Sequence, residues 1–139
     1  MDSGNRRGPE ALAKRIVICL DTNYLIRALI TGTTEGLAVE QWLEADESLC
    51  IPSVAWYEFL CGCTTEEEQL ALALLDGGIL PFGEIEAQAA AAGFRSLNKP
   101  RRLRVDAMIA ATAIVARASL ATNNRKDFLP FVPHGLILI

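Results

Sequence analysis

The chain has 139 residues, the length of one ordinary domain, which is enough to bury a core without disulfide or zinc staples. Hydrophobic residues make up 51% and the formal net charge is −4. That balance excludes a protein that coats nucleic acid by charge alone, but not an enzyme whose local acidic site is neutralised by bound cations. No apolar run approaches the roughly 18–20 residues needed to span a bilayer, and the charged start of the chain is unlike a signal peptide. The expectation is a soluble, cytoplasmic protein.

Residues 1–15 place Gly4, Gly8 and Pro9 among charges, with little to bury, and read as a flexible leader or a remnant of expression. Residues 16–139 read as a single folded domain. Ile16-Val17-Ile18-Cys19-Leu20 is a continuous apolar run, the pattern of a strand buried on both faces. Asp21-Thr22 ends it and can cap a helix over Asn23–Ile30. Thr33-Thr34 precede a second helix through Trp42 and Leu43. Leu49-Cys50-Ile51 is a short strand, and Pro52-Ser53 opens a helix through Leu60. Thr64-Thr65-Glu66-Glu67-Glu68 is a capping signal for a helix to about Leu75, ended by Gly77-Gly78.

Ile79-Leu80-Pro81-Phe82 predicts a third strand and Glu84–Leu97 an Ala-rich helix. After the loop Asn98-Lys99-Pro100 comes a helix from about Leu103 or Val105 to Ala116. Leu120-Ala121-Thr122 predicts a fourth strand, Asn123–Asp127 a polar turn, and Leu136–Ile139 an edge strand. Strands alternating with helices imply an α/β fold with a parallel sheet and right-handed crossovers. In such sheets, sites form beyond the carboxyl ends of the strands, where Asp21, Asn124 and Asp127 fall.

The four cysteines are Cys19, Cys50, Cys61 and Cys63. Three sit in apolar surroundings, as buried free thiols do, which fits a reducing compartment. Cys61-Gly62-Cys63 is tighter than most zinc pairs, and the sole histidine, His134, is remote and lies in a Pro-Gly turn. Both features argue against zinc.

Four acids stand out. Asp21 ends the first strand, where a helix cap is the simpler role. Glu58 is the only charge in Val54–Cys61, and a helix that is apolar nearly all round is expected to be buried, so its carboxylate would need a cation, a metal or a proton; the simpler role is a glutamate at a solvent-facing slot or in a salt bridge. Asp106 is the only acid in Val105–Ala113 and lies in that helix's first turn, where it could serve the dipole alone. Asp127 closes a polar turn. Together, three or four converging carboxylates would repel one another unless they shared a divalent cation, and Mg²⁺ and Mn²⁺ prefer such hard oxygen donors.

At this point the sequence resembles a known family. Val17–Asn23 looks like the opening motif of PIN-domain nucleases, a strand followed by Asp-Thr-Asn. Ile51–Phe59 resembles their second motif, Val105–Ala113 the third and Leu120–Phe128 the fourth, all in order; size and the fourth motif are most similar to VapC toxins of toxin–antitoxin pairs. The resemblance implies a three-layer α/β/α fold with four to five parallel strands and helices on both faces. It implies an endoribonuclease dependent on Mg²⁺ or Mn²⁺, with Asp21, Glu58, Asp106 and Asp127 as catalytic and metal-holding acids, the fourth acid position falling on Asn124 in some members. Thr22, Asn23 and Asn124 would orient carboxylates or phosphate, Arg104 and Arg125 would bind RNA phosphates alongside Arg101, Arg102 and Lys126, and the partners would be RNA, a cognate antitoxin and a second copy in a homodimer. The competing reading is a catalytically silent PIN-like module that binds RNA or protein. A phospho-accepting receiver domain is disfavoured, because Leu49–Ile51 is followed by Pro52-Ser53 and no aspartate.

Overall fold

The computed structural model describes residues 16–139, so the reading of residues 1–15 as a leader lies outside the described residues. Five strands form one parallel sheet: β1 (Val17–Leu20), β2 (Ser48–Pro52), β3 (Gly78–Leu80), β4 (Ser119–Ala121) and β5 (Ile137–Leu138), in the order β3-β2-β1-β4-β5. The central strands are covered on both sides, which is why they read as unbroken apolar runs. Ile18, Cys19, Leu20, Leu49, Cys50, Ile51 and Leu120 are all wholly buried. Cys19 and Cys50 face each other in register across β1 and β2 with their sulfurs 3.2 Å apart. That contact and the surrounding burial push the Cys19 thiol pKa up, as expected of an inert interior thiol.

Seven α-helices fill the connections among the described residues: α1 (Thr22–Ala28), α2 (Thr34–Glu44), α3 (Ser53–Leu60), α4 (Thr65–Leu74), α5 (Glu84–Ser96), α6 (Arg104–Val115) and α7 (Arg125–Phe128). Helical crossovers carry the chain from β1 outward to β2 and β3, then back to β4 on the far side of β1, giving helices on both faces. α1 packs on α2 and α3, and α5 on α6. The three-layer α/β/α architecture expected from the sequence is the one observed. The capping box of α4 forms as its residues predict: the Glu67 amide donates to Thr64 Oγ1 at 3.1 Å and the Thr64 amide to Glu67 Oε1 at 2.8 Å. Gly77 is required where α4 turns into β3, since a Cβ there would lie 2.7 Å from the Leu49 carbonyl oxygen. No helix among the described residues is long and apolar enough to cross a membrane.

Two expectations are corrected. α3 is not buried all round: only Ala55 and Phe59 are buried, Tyr57 is 68% exposed and Glu58 itself is exposed. The helix is short and packs along one stripe, so its apolar composition overstated its burial. The polar turn expected over Asn123–Asp127 also ends early, at α7, which runs on into a 3₁₀ stretch over Leu129–His134. Here tertiary packing outweighs local polarity, because Phe128 and Phe131, at 0% and 2% exposure, are drawn into the core.

Candidate active site

The order β3-β2-β1-β4-β5 reverses direction at β1, so the carboxyl ends of β1 and β4 form the switch point at which α/β sheets open a crevice. The Asp21 amide donates to the Ala121 carbonyl at 3.0 Å, binding the two strand ends together. Asp21 is the N-cap of α1, as its position suggested: Oδ1 accepts from the Thr22 amide at 2.7 Å. Its other oxygen accepts from the hydroxyl of buried Thr122 at 2.8 Å. Capping and site-building are therefore carried by one carboxylate.

Asp21, Thr22, Asn23, Ile26, Glu58, Asp106 and Asn124 line one cleft of about 390 Å³. Thr22 links α1 to α3, its hydroxyl donating to Glu58 Oε1 at 2.8 Å. Asp106 enters from the first turn of α6. Asp127 approaches from α7, held by the Asn124 side-chain amide at 2.9 Å and by Arg102 Nη1 at 2.9 Å. Those two contacts, the asparagine first, lower the Asp127 pKa from its ordinary value. Burial raises that of Asp21, against the hydrogen bonds from Thr122 and Thr22 and with the charge of Glu58. Asp106 is pushed up to about 6, first by burial, then by the negative charges of Asp21, Asp127 and Glu58. The other three acids singled out in the sequence thus all act on Asp106.

Hard oxygen donors with mutually opposed charges suit a divalent cation. Among the described residues no three acids, histidines or cysteines stand close enough as placed to enclose an ion. Glu58 is turned to Thr22, and Asp127 to Arg102 and Asn124. Mg²⁺ keeps several of its waters and needs only one or two carboxylates, so the donor set fits such an ion through Asp21 and Asp106.

The bases are arranged differently from the acids. Arg104 stands 5.9 Å over the Phe94 ring and lines a separate apolar hollow between α5 and α6. Arg125 reaches the Ile139 carbonyl oxygen at 3.4 Å. Neither lines the acidic cleft; the arginine beside the acids is Arg102, 69% exposed at its side chain. His134 contacts Ser96 at 2.9 Å, away from the cleft. Reasoning from the sequence missed Thr122 as a partner of Asp21 and gave Glu35 no role. The only signal for Thr122 was its place directly after a strand at the switch point.

Comparison with known proteins agrees with the fold. Similar solved structures include the VapBC2 complex of Rickettsia felis bound to a promoter DNA fragment (23% identity over 89% of this chain and 98% of that one, TM-score 0.67). They also include FitAcB of Neisseria gonorrhoeae (25% identity, 88% and 96% covered, TM-score 0.65). A third is a toxin–antitoxin complex of Klebsiella pneumoniae (28% identity, 80% and 89% covered, TM-score 0.64). Sequence comparison with curated proteins gave no match. The family model of the PIN domain matches residues 18–129, from within β1 to just past α7, and so spans every element that supplies an acid to the cleft; the chain belongs to the PIN domain family.

Proposed function

We propose that this chain is an endoribonuclease dependent on Mg²⁺ or Mn²⁺ and the toxin of a toxin–antitoxin pair. The observation that carries the reading is the cleft at the β1–β4 switch point, into which Asp21, Glu58 and Asp106 all open. Membership of the PIN domain family supports nuclease chemistry, and the similarity to the Klebsiella pneumoniae toxin–antitoxin complex supports a cognate antitoxin as partner. Residues 16–139 would form a single nuclease domain, acting in the cytoplasm as a homodimer.

Asp21 and Asp106 are the ligands proposed for the ion, with Glu58 and Asp127 at its flanks. When bound, the ion would lower the pKa of a water and offset charge developing on the phosphodiester. The residues of the chain prepare that event. Thr122 and the Thr22 amide fix both oxygens of Asp21, so the carboxylate is presented in one orientation. The Thr22 hydroxyl holds one oxygen of Glu58. Asn23 and Asn124 line the cleft where phosphate oxygens would lie. Of the arginines, Arg102 is better placed than Arg104 or Arg125 to meet a phosphate beside the acids.

The direct test is incubation of purified protein with total RNA in Mg²⁺, in Mn²⁺ and in EDTA, beside the variant Asp21→Asn. Cleavage in either metal, at least about a thousand-fold slower in EDTA and in the variant, is the expected outcome. Undiminished cleavage in EDTA would exclude the mechanism. Saturable RNA binding without cleavage or metal binding would favour the silent module instead.

A further inference from the structure

Among the described residues Glu35 is the one charged residue that is buried, at 6% exposure. An acid in the first turn of a helix normally faces solvent, where it complements the helix dipole. Glu35, in the first turn of α2, instead turns inward and meets donors from three places. Oε2 accepts from Asn123 Nδ2 at 2.6 Å and pairs with Arg27 Nε at 3.1 Å, and Oε1 accepts from the Thr34 hydroxyl at 3.1 Å. Burying a carboxylate is costly unless its oxygens are matched in this way, and a fully matched one fixes a single conformation.

What it fixes bears on the cleft. Asn123 is the middle residue of Thr122-Asn123-Asn124, and both its neighbours hold site acids. The Thr122 hydroxyl donates to Asp21 Oδ2 at 2.8 Å, and the Asn124 side chain donates to Asp127 Oδ2 at 2.9 Å. The Asn124 amide closes the turn on Thr122 Oγ1 at 2.9 Å. Arg27 adds the end of α1, whose N-cap is Asp21. We infer that Glu35 is a positioning residue which, by gripping Asn123, holds the turn after β4 so that Thr122 presents Asp21 to the cleft and Asn124, itself in the cleft lining, holds Asp127. The catalytic half of this inference rests on the nuclease reading; the structural half does not. Bonds from its own backbone amide first, and from Asn123 next, hold the Glu35 carboxyl down at about 2, so the grip is charged at any working pH.

The test uses Glu35→Gln, Asn123→Ala and the double variant. Backbone amide exchange is measured without metal by nitrogen-15 NMR, and RNA cleavage is measured with saturating Mg²⁺. In each single variant the Asn124 amide is expected to exchange at least about tenfold faster, while the remote Gly77 amide, bonded to the Leu49 carbonyl, keeps its rate. Turnover is expected to fall about 10–100-fold with KM within about twofold, and the double variant to be no worse than the poorer single one. An unchanged Asn124 rate, a loosening shared equally by Gly77, or losses that add in the double variant would each overturn the proposal. Wild-type protein that cleaves no RNA would overturn the nuclease reading and with it the catalytic half. The exchange pattern would then still decide whether Glu35 holds the turn.

Discussion

Asp106→Asn is expected to reduce RNA cleavage by about a thousand-fold or more and, in the same protein without metal, to raise stability above pH 6. The two effects have one cause. Burial and the charges of Asp21, Asp127 and Glu58 raise the Asp106 pKa from 3.8 to about 6, so the folded state holds that proton more tightly than the unfolded chain does. Stability from this group is complete below pH 3.8, declines as pH rises from 3.8 to about 6, and stays low beyond. Asparagine cannot ionise and escapes the loss. A shift of this size corresponds to nearly 3 kcal/mol in a dry site, which solvent screening at a half-buried carboxylate reduces to about 1 kcal/mol, or roughly 3–5 °C in Tm. Thermal unfolding in EDTA between pH 3.5 and 8 checks the sign. The two curves should meet at the acid end, part between pH 3.8 and about 6, and stay apart above that, with the variant higher. A variant lower than wild type at neutral pH would mean that Asp106 serves the fold, as an ordinary first-turn acid does.

Phe128→Ala is expected to cost about 3–5 kcal/mol and to lower Tm by roughly 10–20 °C. Phe128 is wholly buried at the end of α7, directly after Asp127. Its ring anchors a helix of only four residues, too short to persist by itself. Loss of the ring therefore removes core contacts and releases the carrier of the fourth acid. Leu129→Ala, at a side chain 52% exposed, should cost under about 1 kcal/mol and is the matched control. Urea unfolding of both variants measures the difference. Equal costs would show that α7 is not held by its phenylalanine.

The sheet was legible because strands covered on both faces must be apolar at every position, so β1 and β2 appear as runs with no polar interruption. Asp21 and Asp106 were legible as acids set where strand ends and helix starts converge. Glu58 was singled out for a reason the structure corrects: its helix is half exposed, and what ties Glu58 to the candidate site is the Thr22 hydroxyl. The arginines could not be ranked from sequence, since Arg101, Arg102 and Arg104 are close neighbours in the chain. Only the fold turns Arg102 to Asp127 and Arg104 to Phe94. Glu35 was illegible for a related reason. Its bond to Asn123 spans 88 residues, and nothing in Thr33-Thr34-Glu35 separates an inward acid from a capping one. Local patterns report burial and periodicity, whereas long-range polar pairing follows from topology.

The most direct measurement is a calorimetric titration of Mn²⁺ into metal-free wild-type protein, Asp21→Asn and Asp106→Asn at pH 7. Saturable binding to the wild type, weakened at least about tenfold in both variants, is expected of acids that meet over one cation. Binding equally strong in all three proteins, or none in a folded wild type, would contradict a shared ion in this cleft.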